Sequence, residues 1–120
     1  MVLDSDRVFA QSLGAVLSEH GLEVTICASP EEAIRVCDEL QPDCVVLELT
    51  LHQHSGLEFL YEFRSYPDWL DVPVWIYTQI SLPDTVMNSS DWRRLGAQYV
   101  SKSAQSPVAL AESVRDRLLS

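Results

Sequence analysis

Short apolar runs and amphipathic segments alternate along the chain. The runs predict five strands, which cover Met1–Leu3, Leu22–Cys27, Cys44–Leu49, Val72–Thr78 and Gln98–Ser101. The third run opens with four apolar residues and has no alternation, which is typical of a strand covered on both faces. The pattern therefore predicts a sheet with helices on each side.

The segments between the runs carry apolar residues at helical spacing, and most begin with residues that favour helix starts. Four starts are clear, at Asp6, Ser29-Pro30, Ser55-Gly56 and Ser106-Pro107. A further helix, fourth in chain order, is expected from Asp84 or Asn88 to Leu95. Two starts stay open because the stretch that leads into it is polar and weakly patterned. Five strands thus alternate with five helices.

Alternation with short connections predicts an α/β fold, a three-layer (βα)5 doubly wound sandwich with a five-stranded parallel sheet. The chain contains no repeat, linker or low-complexity tract, so we expect residues 1–120 to form a single domain. In open sheets of this kind, function lies beyond the carboxyl ends of the strands. Those ends carry Asp4-Ser5-Asp6, Glu48, Thr78 and Lys102.

Composition narrows the function classes. The chain has 18 acidic and 8 basic residues, a net charge of −10, so we expect no nucleic-acid partner. It has no apolar stretch long enough for a membrane span, and we expect no membrane contact. Cys27, Cys37 and Cys44 lack metal-site spacing and indicate buried thiols in a reducing compartment, which favours a cytoplasmic location.

Several segments, in order, resemble the receiver domains of bacterial response regulators over the whole chain. They are the acidic segment Leu3–Asp6, the helix start Gly56–Glu58, the strand Val72–Thr78 and the segment Gly96–Lys102. The resemblance implies the CheY-like, flavodoxin-like fold with strand order 2-1-3-4-5. It also implies an acidic pocket at Asp4, Ser5 and Asp6, switch residues at Thr78 and Tyr99, and a pocket lysine at Lys102.

Glu48 stands where the family carries its phosphoacceptor aspartate, and other positions depart from the pattern too. By register, Ser5 replaces the acidic residue that binds Mg²⁺ directly, and a neutral hydroxyl should weaken that binding. Weak Mg²⁺ binding at Asp4, Asp6 and Glu48 is then the most that we expect, and no other cofactor. Gln79 follows Thr78 where a small residue is usual, and Ser103 follows Lys102 where proline is common.

The longer side chain of Glu48 carries its carboxylate about 1.5 Å further than aspartate would, toward Thr78 and Lys102. Three interpretations stay open: a constitutive switch position that imitates the phosphorylated state, a structural ion pair with Lys102 without a signalling role, or residual phosphotransfer. Asp4 and Asp6 can equally serve as solvated or helix-capping acids. Tyr99 can equally be a packed edge aromatic.

Two other groups of residues have more ordinary interpretations. His52 and His54, close to Glu48 in sequence, are too few for a closed metal site and indicate solvated loop residues. Trp75 lies within a strand and is expected in the core, as is Trp92, although an exposed Trp92 would suit a partner contact.

Together these observations favour a receiver-like domain of a two-component (phosphorelay) system that acts as a phosphorylation-independent protein-interaction module and not as an enzyme. Expected partners are a histidine kinase, a phosphotransfer domain or an output domain. The face of the fourth helix, fifth strand and last helix could also pair with a second copy. The alternatives are an active receiver with an atypical site and a small-ligand-binding domain of flavodoxin-like shape.

Overall fold

Five parallel strands form one sheet in the computed structural model, which describes residues 1–120. In chain order the strands are β1 (Val2–Leu3), β2 (Ile26–Cys27), β3 (Val45–Leu47), β4 (Thr50–Leu51), β5 (His54–Ser55), β6 (Val74–Thr78) and β7 (Ala97–Ser101). The sheet order is β2-β1-β3-β6-β7, and β4 and β5 form a separate antiparallel hairpin. Because β6 and β7 are the fourth and fifth strands of this sheet in chain order, the predicted order 2-1-3-4-5 is confirmed.

Helices cover both faces of the sheet. They are α1 (Arg7–Glu19), α2 (Pro30–Leu40), α3 (Gly56–Phe63), α4 (Asp84–Met87), α5 (Ser90–Leu95) and α6 (Pro107–Leu119), with a 3₁₀ turn at Pro67–Trp69. On one face α1 packs against α6, and on the other α2 packs against α3. The predicted three-layer α/β sandwich is therefore confirmed. None of the helices has the length and hydropathy of a membrane-spanning segment.

Capping residues set the starts of the helices. Asp6 accepts a hydrogen bond from the backbone N–H of Phe9, and Ser29 and Ser106 accept equivalent bonds at the starts of α2 and α6. Ser55 starts α3 in a capping box with Glu58. The helix starts predicted from these residues are confirmed.

The core has two parts because alternate strand residues point to opposite faces of the sheet. Val45, Leu47 and Ile76 pack with the α2 and α3 side, whereas Val46 and Tyr77 pack with the α1 and α6 side. The three tryptophans, Trp69, Trp75 and Trp92, are all buried, as expected for the last two.

Several predicted boundaries were wrong. The strand predicted over Leu22–Cys27 is paired only at Ile26–Cys27, because it lies at the sheet edge beside the two-residue β1. The other strand bounds shift by one or two residues. The fourth helix is divided into α4 and α5, since Ser89 adopts an extended conformation and its side chain caps α5 through the N–H of Trp92.

Candidate functional site

Asp4, Glu48 and Lys102 meet beyond the carboxyl ends of three parallel strands. They directly follow β1, β3 and β7. The ammonium Nζ of Lys102 lies 3.1 Å from Oδ2 of Asp4 and 2.9 Å from Oε1 of Glu48. The three side chains are at most 11% exposed, and we call them the carboxylate–lysine triad.

Every carboxylate oxygen of the triad already accepts a hydrogen bond. Oδ1 of Asp4 accepts from the backbone N–H of Asp6 at 2.9 Å, and Oε2 of Glu48 accepts from that of Thr50 at 3.1 Å. The other oxygen of each group is bound to Lys102. The two buried carboxylates are therefore satisfied within the protein, and none of their oxygens is left without a donor.

Lys102 is held on a third side by an aromatic ring. Its ammonium lies 3.9 Å from the centre of the Phe9 ring, within the range of a cation–π interaction. Burial alone would lower the pKa of Lys102, but the hydrogen bonds to Glu48 and Asp4 outweigh it, and the pKa is raised above the ordinary value of 10.5. Lys102 therefore remains charged at neutral pH.

Ser5 and Asp6 do not join the triad. The Oγ of Ser5 accepts a hydrogen bond from the backbone N–H of His52 at 2.9 Å and so ties the hairpin of β4 and β5 to the end of β1. The carboxylate of Asp6 caps α1. Both side chains line the same depression as the triad, but the hydroxyl of Ser5 and Oδ1 of Asp6 each already accept a hydrogen bond from a backbone N–H.

Thr78 and Tyr99 are linked to one residue, Ile80, and not to the triad. The fully buried Thr78 accepts a hydrogen bond from the N–H of Ile80 through its Oγ1, and the hydroxyl of Tyr99 donates to the Ile80 carbonyl. Of the two residues toward which Glu48 was expected to reach, Lys102 donates a hydrogen bond to it, and the hydroxyl of Thr78 is bound to Ile80. Thr78 takes the nearest backbone donor, two residues along the chain.

The depression around the triad has a volume of about 360 Å³. Its wall includes Phe9, Thr50 and Tyr77, which sequence reasoning did not assign to the site, and Gln79, which it did. Phe9 and Tyr77 belong to apolar patterns that indicate core positions, and the packing of α1 and β6 brings them to the site.

Gly56 fixes the loop that follows Glu48. A Cβ built on Gly56 would overlap the backbone carbonyl oxygen of Glu48, so no larger residue fits without a shift of the chain. The N–H of Gly56 donates to the carbonyl of Leu49 at 2.7 Å. The close approach of these two segments holds Glu48 at the end of β3.

The side chains around the triad can be compared with the ligands that a metal ion needs. No group of three or more histidine, cysteine, aspartate or glutamate side chains is arranged to hold a metal ion. In the triad, Lys102 offsets one of the two carboxylate charges and binds one oxygen of each carboxylate, and Ser5 supplies no carboxylate. His54 pairs with Glu58 at 3.1 Å on the surface, and His52 remains an exposed loop residue.

Comparison with known proteins is consistent with this geometry. The family model of the response regulator receiver domain matches residues 1–115. The chain is 32% identical to protein RcaC of Microchaete diplosiphon over 85 residues. This aligned region covers 71% of this chain and 13% of that protein. It is also 33% identical to the response regulator MprA of a Mycobacterium species over 78 residues, and this aligned region covers 65% of this chain and 33% of that protein. The chain thus spans a third or less of these relatives.

The fold also matches solved structures. The chemotaxis protein CheY4 of Vibrio cholerae superposes with a TM-score of 0.82, with 19% identity over 96% of this chain and 93% of that chain. At that identity the likeness describes the fold, and it agrees with the three-layer sandwich and the strand order found in this chain.

Proposed function

Because the chain belongs to the family of response regulator receiver domains, we propose that it is a phosphorylation-independent protein-interaction module of two-component signalling. Glu48 occupies the phosphoacceptor position in this proposal, and Lys102 the position of the pocket lysine. The domain has no catalytic activity of its own and works in the cytoplasm, in agreement with its three free cysteines.

The observation that carries the proposal is the closed carboxylate–lysine triad. A carboxylate that accepts a phosphoryl group needs a free oxygen and nearby positive charge to stabilise the transferred group. Both oxygens of Glu48 are occupied, one of them by the lysine that would otherwise meet the phosphoryl oxygens. The Glu48–Lys102 ion pair therefore stands in place of a phosphoryl–lysine contact, with one negative charge instead of about two.

The second support is the poor set of ligands for Mg²⁺. Phosphoryl transfer in such a pocket depends on a cation that neutralises the developing charge. Ser5 offers a neutral hydroxyl already bonded to His52, and Asp6 is engaged as a helix cap. The pocket therefore offers Mg²⁺ only Oδ2 of Asp6 beside carboxylate oxygens that already accept hydrogen bonds, a poorer set of ligands than a magnesium-dependent acceptor site requires.

The hydrogen bonds of Thr78 and Tyr99 support a loop conformation that does not change with phosphorylation. Because both bind Ile80, the loop after β6 is held without any contact to Glu48. The surface near that loop then stays the same whether or not a phosphodonor is present. A kinase, phosphotransfer domain or output domain would recognise this constant surface, and a net charge of −10 disfavours nucleic acid.

The proposal is tested by incubation of the protein with acetyl phosphate and Mg²⁺, followed by intact mass measurement. We expect no mass gain for the natural sequence. The matched control is the double variant Ser5→Asp with Glu48→Asp, which restores the family pattern and should gain one phosphoryl group. A stoichiometric, hydroxylamine-sensitive adduct on the natural protein would overturn the proposal in favour of an active receiver with an atypical site.

A further inference from the structure

A polar groove of about 360 Å³ lies at the amino-terminal ends of β6 and β7, at the opposite end of the sheet from the carboxylate–lysine triad. Three arginines from three different elements line it. Arg64 follows α3, Arg94 lies in the last turn of α5, and Arg117 lies in the last turn of α6. We call it the arginine groove.

The arginine groove is positive within a strongly acidic chain. It contains three of the eight basic residues of the chain, and Asp71 is the only acidic residue in its wall. Three arginines and one aspartate give the groove a local charge of +2. None of the three guanidinium groups forms an ion pair within 4.0 Å with any carboxylate, although acids outnumber bases more than twofold in this protein.

Arg64 is held in place before any ligand arrives. Its Nε donates to the carbonyl of Leu95 and its Nη1 to the carbonyl of Trp69, both at 2.7 Å. Its Nη2 makes no hydrogen bond, and neither do the side chains of Arg94 and Arg117. The groove thus combines one positioned guanidinium group with two free ones, and all three have donors left for an anion.

The wall of the groove also has an apolar part. Leu70 is 55% exposed, and Val72 and Pro73 lie beside it. A small inorganic anion would satisfy the guanidinium groups but would leave this leucine in water. A ligand that covers both parts must carry acidic groups and apolar side chains together.

We propose that the arginine groove binds an acidic segment of a partner protein in which carboxylates alternate with apolar side chains. Guanidinium groups bind carboxylates through paired hydrogen bonds, and Leu70 supplies an apolar contact for the intervening side chains. This site goes beyond the proposed function, because its residues are separate from the triad and its occupancy does not depend on the state of Glu48.

The test is binding of a fluorescein-labelled peptide that alternates glutamate and leucine, measured by fluorescence anisotropy on the full chain at low ionic strength. A peptide that alternates serine and leucine controls for the apolar part, and inorganic phosphate serves as a competitor. The groove variant is Arg94→Gln with Arg117→Gln, which leaves Arg64 and its structural bonds intact. The matched control is Arg93→Gln with Arg115→Gln, which removes the same charge from the same two helices outside the groove.

We expect saturable binding of the acidic peptide, no binding of the serine peptide, and binding at least about tenfold weaker in the groove variant, which lacks two of the three guanidinium groups; tenfold corresponds to about 1.4 kcal/mol. The control variant should stay within about twofold of the natural protein. Absence of saturable binding would overturn the proposal, as would equal weakening by both variants, which would indicate a general charge effect. Complete displacement by phosphate at an equal concentration would also overturn it and assign the groove to a small anion.

Discussion

The ammonium of Lys102 lies 2.9 Å from Oε1 of Glu48. This ion pair joins the end of the edge strand β7 to the end of the central strand β3 across the intervening β6. Asp4, after β1, binds the same ammonium, so one side chain connects the ends of three of the five sheet strands. The carboxylate–lysine triad is therefore both the candidate site and a link between distant parts of the chain.

Replacement of Lys102 by methionine should destabilise the protein by about 3–5 kcal/mol, because it leaves two buried carboxylates without their counter-charge. The free energy of unfolding from urea titration measures the loss. The double variant Lys102→Met with Glu48→Gln should lose less than the sum of the two single variants, because the second change removes one of the unpaired charges. Strict additivity would show that Lys102 and Glu48 do not interact in solution.

The stability supplied by Lys102 should depend on pH only in the alkaline range. Its pKa is raised above 10.5 in the folded protein, so its contribution is complete below that value and is lost as the pH rises through the folded pKa. The difference in unfolding free energy between the natural protein and Lys102→Met should stay constant from neutral pH to about pH 10, then shrink. Cysteine titrations occur in both proteins and cancel in the difference, whereas Tyr77, whose pKa is raised by burial and lowered by Lys102, is replaced by phenylalanine in both for this measurement. A gap that shrinks near neutral pH would contradict a raised pKa.

Mg²⁺ should not bind the natural protein saturably in the millimolar range, because Ser5 supplies no charge and Lys102 already binds one oxygen of each triad carboxylate and offsets one of their two charges. The variant Ser5→Asp with Glu48→Asp should bind Mg²⁺, with amide NMR shifts at residues 4–6 and 48–50. Ser81→Asp adds the same charge as Ser5→Asp in an exposed loop and should leave the natural behaviour unchanged. Saturable shifts in the unmodified chain would show that its pocket holds the metal.

The layer order and the helix starts could be predicted from local sequence. Uninterrupted apolar residues before Glu48 indicate a strand covered on both faces, and Ser29-Pro30 or Ser106-Pro107 combine a cap with a favourable first helical residue. The hairpin of β4 and β5 was missed because its strands have two residues each, too short for any periodicity. The division between α4 and α5 depends on the one extended residue Ser89, which serine alone does not specify.

At the candidate site, too, the sequence predicted which strand ends meet but not every hydrogen bond of the single side chains. Sequence order predicted that Asp4, Glu48 and Lys102 would meet, because the carboxyl ends of parallel strands share one edge. It did not predict that Thr78 would accept a hydrogen bond from the N–H of Ile80, or that Ser5 would accept one from the N–H of His52. Short polar side chains bind the nearest free backbone donor, and that choice depends on loop geometry that composition and spacing do not specify.

Arg64 should be important for stability through its two carbonyl contacts. Arg64→Met removes the bonds to Leu95 and Trp69 and should lower the free energy of unfolding by about 2 kcal/mol. Arg64→Lys should recover less than half of the lost free energy of unfolding, since a single ammonium cannot donate to both carbonyls in the geometry of the planar guanidinium group. Arg93→Met removes one surface bond to the Asn88 carbonyl and should cost less than about 0.5 kcal/mol. A similar loss for both methionine variants would show that the Arg64 contacts add nothing specific.

The rates at which the three cysteine thiols react with an alkylating reagent should depend on how tightly the core around each of them is packed. Burial raises the pKa of Cys27 to about 11 and that of Cys37 to about 12, and both are at most 1% exposed. Burial also raises the pKa of Cys44, but this residue is only partly buried. Because the thiolate is the reactive form, iodoacetamide at neutral pH should modify Cys44 first and the other two only at the rate of unfolding. Mass spectrometry of peptides measures the order, and in denaturant all three should react alike. Native-state labelling of Cys37 as fast as that of Cys44 would show that the α2 side of the core opens without global unfolding.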